Sequence, residues 1–229
     1  MKIALVGYGK MGRLIEQLAP EYGCDVVAKL DEFNNVNGAG ITRENLRGVD
    51  VAIEFSIPSA TVDNVERLVA AGVNVVVGTT GWFEHLGHVK GAVEKSDAGL
   101  VWSPNYSVGV NVFFRLVSEA ARLLAKQPEY GAWAWEIHHY TKKDAPSGTL
   151  LKLVEEMKAS GYGRNVDVNS NRAGAHPGTH EVGFDSTADT ITLRHTARSR
   201  EGFARGALKA AQWIAGKKGV YEFSEILFQ

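Results

Sequence analysis

The chain of 229 residues is 45% hydrophobic and carries 25 basic and 26 acidic residues, a formal charge of −1. That length and apolar content can bury the core of one large domain or two small ones, while the balanced charge offers no field to attract a nucleic acid or an anionic membrane surface. The single cysteine, Cys24, excludes an internal disulfide framework, the first residues enter a strand pattern and not a signal peptide, and no apolar run approaches the roughly 18 residues that span a bilayer; the cytoplasm is the expected compartment.

Residues 2–6 form an apolar strand pattern, followed by Gly7-Tyr8-Gly9-Lys10-Met11-Gly12 and by Leu14, Ile15 and Leu18 at helical spacing. A second strand over 25–30 ends at Asp31, about 20 residues beyond Gly12, where a dinucleotide fold places the acid that holds a ribose hydroxyl. A lone G-x-G-x-x-G is a weak signal, but here it opens the chain between the correct elements. Further strands at 51–55 and 73–77, with a helix over 59–71 between them, end in the polar turns Ser56-Ile57-Pro58 and Gly78-Thr79-Thr80-Gly81. A fifth, at 100–102, precedes Ser103-Pro104-Asn105-Tyr106-Ser107. Alternating strands and helices predict a parallel sheet, with a ligand at the carboxyl ends of its strands.

After Ser107 the pattern changes to a long helix over 110–126, an alternating strand 132–139, a helix to Lys158, a polar stretch 163–171, and strand material in 172–182 and 190–195. The last helix, 201–215, carries Phe203, Ala207, Ala210, Ala211 and Ile214 at helical spacing and is expected to return to the first domain. The run from Glu136 to Thr149 holds the densest chemistry. Its alternation sends Trp133, Trp135, Ile137 and His139 to one face of the strand, and Glu136 and His138 to the other. A histidine titrates near neutrality and Lys142 is a point charge for a carboxylate; Pro146-Ser147-Gly148-Thr149 opens a helix, where free amides and a hydroxyl are expected to point outward and grip an anion. His85 and His88 read as solvated residues of a polar helix. His176 and His180 flank a Gly-Thr turn, and with no cysteine or paired carboxylate in a known spacing beside them no metal site is expected. Trp102, Trp133, Trp135 and Trp213 read as core or subunit-contact residues.

These motifs together resemble the dihydrodipicolinate reductase family over nearly the whole chain. The resemblance rests on Gly7 to Gly12, Glu54-Phe55-Ser56-Ile57-Pro58, Gly78-Thr79-Thr80-Gly81, the turn from Ser103 to Asn111, the His138-His139-x-x-Lys142-x-Asp144-Ala145-Pro146-Ser147-Gly148-Thr149 run, and Arg194-His195-Thr196-Ala197 through Phe203-Ala204-Arg205-Gly206-Ala207. It implies an α/β fold: a Rossmann-type dinucleotide-binding domain over 1–107 and 201–229, and an α+β substrate-binding and oligomerisation domain over 108–200. A cleft that closes on hinges near Ser107 and Arg200 is expected.

The resemblance also implies reduction of 4-hydroxy-tetrahydrodipicolinate, or its dehydrated form, to tetrahydrodipicolinate, with His138 as proton donor and Lys142 paired to a substrate carboxylate. His139, Gly148 and Thr149 match substrate binders. Gly7, Tyr8, Gly9, Lys10, Met11, Gly12, Asp31, Phe55, Ser56, Gly78, Thr79, Thr80, Ser103, Asn105 and Tyr106 match cofactor binders. The family implies a homotetramer joined through the second domain's sheet, and a small dicarboxylate ring as partner in place of a nucleic acid or membrane. Members that favour the phosphorylated nucleotide often carry basic residues where this chain has Glu32 and Ile57. Asp31 and Glu32 repel a 2′-phosphate while Lys10 offsets them, so NADH is expected to serve at least as well as NADPH, with dual use. Two alternatives are a related imine reductase or amine dehydrogenase, which should lack the full His-His to Gly-Thr run, and a non-catalytic dinucleotide sensor, which would need neither His138 nor Lys142.

Overall fold

The computed structural model describes all 229 residues. Chain contacts divide it into two compact units, Met1–Val108 with Glu201–Gln229, and Gly109–Arg200.

In the first unit, strands β1 (Lys2–Val6), β2 (Asp25–Leu30), β3 (Val51–Glu54), β4 (Asn74–Val77) and β5 (Gly99–Trp102) alternate with helices α1 (Lys10–Leu18), α2 (Pro58–Ala70) and α3 (Leu86–Glu94). With β10 (Gly219–Glu222) from the end of the chain, the sheet is parallel throughout, in the order β10-β5-β4-β3-β1-β2, so the winding direction reverses between β1 and β3. Open sheets of this kind bind ligands at such a reversal, outside the carboxyl ends of the strands. Near-continuous Val, Ile, Leu and Ala runs make these strands because both faces are covered. Ile3, Leu5, Val51 and Ile53 pack with α1 and the returning helix, while Ala4, Val6, Ala52, Val75 and Val77 pack with α2 and α3.

The second unit begins along α4 (Val108–Leu124) and continues through β6 (Gly131–His138), α5 (Gly148–Ala159), β7 (Val166–Arg172), β8 (Thr179–Asp185) and β9 (Thr190–Thr196). The sheet runs β7-β6-β8-β9, with β6 and β7 parallel and the other pairs antiparallel. Phe113, Val117 and Ala121 of α4 and Leu150, Leu153 and Met157 of α5 cover one face, packing on Ala132, Ala134, Val182 and Phe184. Trp133, Trp135 and Ile137 stay half-buried on the other face. A Cβ at Gly183 would lie 2.2 Å from the Trp133 indole, which therefore lies flat across the strand pair.

Helix α6 (Glu201–Ile214) returns to the first sheet with a face of small residues, and a Cβ at Gly206 would lie 1.7 Å from the Tyr106 carbonyl oxygen. Two elements differ from the sequence expectation. The polar stretch 163–171 is strand β7, an edge strand whose mostly exposed side chains leave no apolar alternation to read. Beyond α6, where the sequence reading named no further element, β10 (Gly219–Glu222) adds a sixth parallel strand and α7 (Phe223–Ile226) follows it.

Candidate active site

The three glycines after β1 have three different reasons to lack a side chain. Gly7 stands at φ +92°, and a Cβ there would come within 2.1 Å of the Phe55 carbonyl oxygen. At Gly12 a Cβ would press to 2.4 Å on the Gly7 carbonyl oxygen, where helix and strand pack closely. Over Gly9 there is nothing within 4 Å. Turn, close packing and open approach are the roles a pyrophosphate site asks of this motif. Gly9 is also the N-cap of α1 and offers no capping side chain, which leaves first-turn amides for an anion. Lys10 is exposed and Tyr8 and Met11 are half-buried; Tyr8 donates to Glu16, which pairs with Lys29 at 2.8 Å. These residues fit the phosphate end of a nicotinamide dinucleotide.

Asp31, at the end of β2, accepts from the amides of Phe33 at 2.9 Å and Asn34 at 3.3 Å, both on Oδ1. After β3 and β4, Phe55 lies against Gly78 so closely that a Cβ there would meet its ring at 2.0 Å, and the Ser56 amide donates to Thr79 Oγ1 at 2.8 Å. Thr80 is exposed. Beneath both turns is Glu54, fully buried, taking hydrogen bonds from Ser56 and Asn64 on Oε1 while Oε2 has no partner. Burial pushes its carboxyl up, against the lowering effect of those donors. After β5, Ser103 Oγ donates to the Asn105 carbonyl at 2.9 Å. Tyr106 departs from a ligand-facing role: its side chain is 2% exposed and its hydroxyl donates to the Val101 carbonyl at 2.9 Å, so it braces the turn from within the core.

In the second unit, strand register assembles the chemistry. Glu136 on β6 stands directly opposite Ser170 on β7 and His180 on β8, and His138 stands opposite Arg172. Glu136 Oε1 accepts from the Ser147 amide at 2.8 Å, Arg172 Nη2 at 2.9 Å and Ser170 Oγ at 3.0 Å. Its Oε2 accepts from the Ser147 hydroxyl and is paired with His180 Nε2 at 3.2 Å, while His138 Nδ1 approaches to 3.4 Å. Burial works to raise this carboxyl, and the donors outweigh it, holding it below the ordinary carboxylate range. His180 falls to about 4, through burial first and then the neighbouring His138. His138 is lowered as well, by burial, with Glu136 opposing and the charges of Lys142 and Arg172 assisting.

Gly178, next to Thr179, closes over His138: at φ +145°, a Cβ on it would lie 2.8 Å from His138 Nε2. Lys142 Nζ sits on the Asp144 carboxylate at 2.8 and 2.9 Å, and Arg172 donates to the Asp144 carbonyl, tying the loop to β7. His139 is the first residue beyond β6 and is half-buried, with Nδ1 2.7 Å from Thr141 Oγ1.

The start of α5 corrects one expectation. The Ser147 hydroxyl does not point outward: Ser147 is 2% exposed, caps Leu150 and faces Glu136. What remains open are the amides of Gly148 and Thr149, which as the first helical positions lack intrahelical acceptors, with nothing within 4 Å of a Cβ on Gly148. His176 and His180 also part company, the first exposed and the second buried. Glu136, His138 and His180 bring ligand-type atoms within 4.8 Å of one another. The carboxylate is matched by Arg172 and four further donors, while His138 Nδ1 beside it is buried without a hydrogen bond of its own. His85 and His88 are exposed beside Glu84 and Glu66. Sequence reading gave no role to Glu136, Arg172 or Gly178, and weighed His180 only as a metal ligand. The alternation His180, Val182, Phe184 was the available signal for a second inward-facing histidine.

Comparison with known proteins covers the chain almost end to end. Residues 1–106 match the family model described as dihydrodipicolinate reductase, N-terminus, and residues 109–227 match the one described as dihydrodipicolinate reductase, C-terminus. The 4-hydroxy-tetrahydrodipicolinate reductase of Christiangramia forsetii is 35% identical, covering 99% of this chain and 98% of that protein. That of Methanosarcina mazei is also 35% identical, covering 96% and 95%. Among solved structures, a dipicolinate-bound dihydrodipicolinate reductase from Paenisporosarcina sp. TG-14 shares the fold with a TM-score of 0.83 at 20% identity, over 99% of both chains.

Proposed function

The chain belongs to the dihydrodipicolinate reductase family, oxidoreductases of the diaminopimelate route to lysine, and from that premise we propose which of its residues carry out the reaction. The enzyme uses a nicotinamide cofactor to reduce 4-hydroxy-tetrahydrodipicolinate, or the ring left when it loses water, to tetrahydrodipicolinate. Once the hydroxyl has left as water, reduction adds one hydride and one proton to the electron-poor unsaturated ring that remains. The cofactor, when bound across Gly7 to Gly12, Asp31 and the turns at Phe55-Ser56, Gly78-Thr80 and Ser103-Asn105, supplies the hydride.

The proton comes from His138. The observation that carries this assignment is the orientation of its ring, with Nδ1 toward the Glu136 carboxylate and Nε2 toward the space that Gly178 leaves clear. Lys142 exchanges its hold on Asp144 for a substrate carboxylate, and the amides of Gly148 and Thr149 receive anionic oxygen at the start of α5, with His139 at the border of the site. Replacing His138 by Gln should lower kcat by on the order of a hundredfold or more with cofactor affinity kept, since general acid catalysis contributes ~10²–10⁴. Turnover near that of the unmodified enzyme would remove His138 from the role. For Lys142→Ala, KM for the ring substrate should rise and kcat fall; an unchanged KM counts against the carboxylate contact.

NADH serves at least as well as NADPH. Asp31 and exposed Glu32 oppose a 2′-phosphate, exposed Ile57 brings no charge, and Lys29 is already paired with Glu16; Lys10 keeps dual use open. Steady-state kinetics with both nucleotides at low salt test this, and a tenfold preference for NADPH would overturn it. The Trp133, Trp135 and Ile137 face of the second sheet is the contact of a homotetramer, to be checked by light scattering in solution. The enzyme works in the cytoplasm on a small dicarboxylate, without metal, nucleic acid or membrane; no helix is long and apolar enough to cross a bilayer.

A further inference from the structure

Resting on the assignment of His138 as proton donor, we infer that Glu136 is a positioning residue that fixes the donor and the anion-binding turn on one carboxylate. A proton donor must hold its proton until the ring receives it. Burial disfavours the charged imidazolium, and the cations Lys142 and Arg172 disfavour it further. Of the two anions that oppose them, Asp144 is exposed and already held by Lys142, whereas Glu136 is fully buried, where its field is least screened. His138 Nδ1 is enclosed and makes no hydrogen bond of ordinary geometry, with Glu136 Oε2 at 3.4 Å in front of it. Catalytic hydrogen bonds are commonly long before substrate binds and shorten afterwards.

The same Oε2 accepts from the Ser147 hydroxyl, and Oε1 accepts the Ser147 amide, so the residue that caps α5 and presents Gly148 and Thr149 is anchored to the group that orients His138. Proton and anion sites therefore share one reference point. Every other charged or titratable group around the carboxylate is accounted for: Arg172 from β7 balances its charge, His180 from β8 stays neutral near pH 7, His195 lies across from His180 on β9 and is itself lowered by burial, and Lys142 and Asp144 close the loop side. A carboxylate on Nδ1 holds the neutral ring as the Nδ1–H tautomer and favours its protonation at Nε2, the side toward Gly178.

Nitrogen NMR of the histidine-labelled, unmodified enzyme should show neutral His138 protonated on Nδ1. The opposite tautomer, with the proton on Nε2, overturns the inference without any variant having to fold. In folded Glu136→Gln, kcat should fall roughly 10- to 100-fold, and the pH above which kcat declines should move down by about one unit or more, because an anion that favoured the imidazolium is gone. A loss of activity with an unmoved pH limb would mean that Glu136 acts as a structural clamp only, and would also overturn it. Failure of the underlying assignment looks different: His138→Gln would then turn over normally, whatever the tautomer. An inactive His138→Gln with the wrong tautomer or an unmoved limb defeats the positioning role alone.

Discussion

Glu54 at the end of β3 and Glu136 on β6 are both fully buried glutamates at 0% exposure, one in each unit, and each underlies a turn that we propose binds a ligand. Around Glu54 are serine, threonine and asparagine but no cation, one of its oxygens is unpartnered, and burial raises its carboxyl. Around Glu136 are Arg172, two contacts from Ser147, Ser170 and His180, and its carboxyl is lowered. Equal burial thus gives opposite tendencies, and the partner set decides which. The neutral-leaning acid suits a turn beside an anionic cofactor, where a further negative charge would repel. The anionic one suits a site that must keep an imidazolium.

The hardest way to break this contrast is to turn Glu136 into a second Glu54. Arg172→Met removes the cation and leaves a buried carboxylate, which should cost about 3–5 kcal/mol, the usual result of removing one partner of a buried pair. Urea unfolding at neutral pH measures it. The variant should also reverse its pH response, gaining stability as pH falls toward 5, since the stranded carboxyl then takes a proton more readily folded than unfolded. A loss under 1 kcal/mol would show that the neutral donors suffice and that the comparison with Glu54 is mistaken.

Glu136→Gln should cost less, about 2–3 kcal/mol, because the amide oxygen can keep the Oε1 contacts with Ser147, Ser170 and Arg172 while the charge is lost. Thermal and urea unfolding of this variant beside Arg172→Met should rank them in that order; the reverse order would place the main stabilisation on the donors and not on the charge pair.

The contrast was half legible in the residues. The first sheet could be read because strands covered on both faces carry unbroken apolar runs, and the glycine turn because each glycine answers a distinct steric demand. In β6 the alternation separated Glu136 and His138 from the tryptophans. What completes the node was hidden for physical reasons. Arg172 ends β7, an edge strand with polar residues on both faces and hence no period, and without β7 there is no register to set Arg172 beside His138. His180 is two residues past Gly178 in a turn-rich stretch, and its inward face emerges once Val182 and Phe184 are taken with it. Ser147 was expected at the surface because N-caps often are, yet a cap hydroxyl can serve its own helix and a buried acceptor together.

The smallest expected effect is the most exact test of the comparison. Glu54→Gln replaces a carboxyl that leans neutral with a neutral amide of the same shape. The Ser56 and Asn64 donors all reach Oε1, which the amide oxygen reproduces, and the –NH2 takes the place of an oxygen that already lacks a partner. Stability at pH 5 should change by no more than about 1 kcal/mol. The pH dependence carries the sign. A carboxyl whose folded pKa is raised contributes stability that is fully present below its unfolded value of about 4.3 and is lost as pH rises through the folded value. Removing it should therefore flatten the decline of stability on the alkaline side of that window. Glu136→Gln should do the reverse, flattening the loss on the acid side, because a lowered carboxyl stabilises above the unfolded value and fails as pH falls through the folded one. Urea titrations from pH 3.5 to 8 on both variants measure the pair, and parallel curves would mean that the two buried glutamates share one charge state after all.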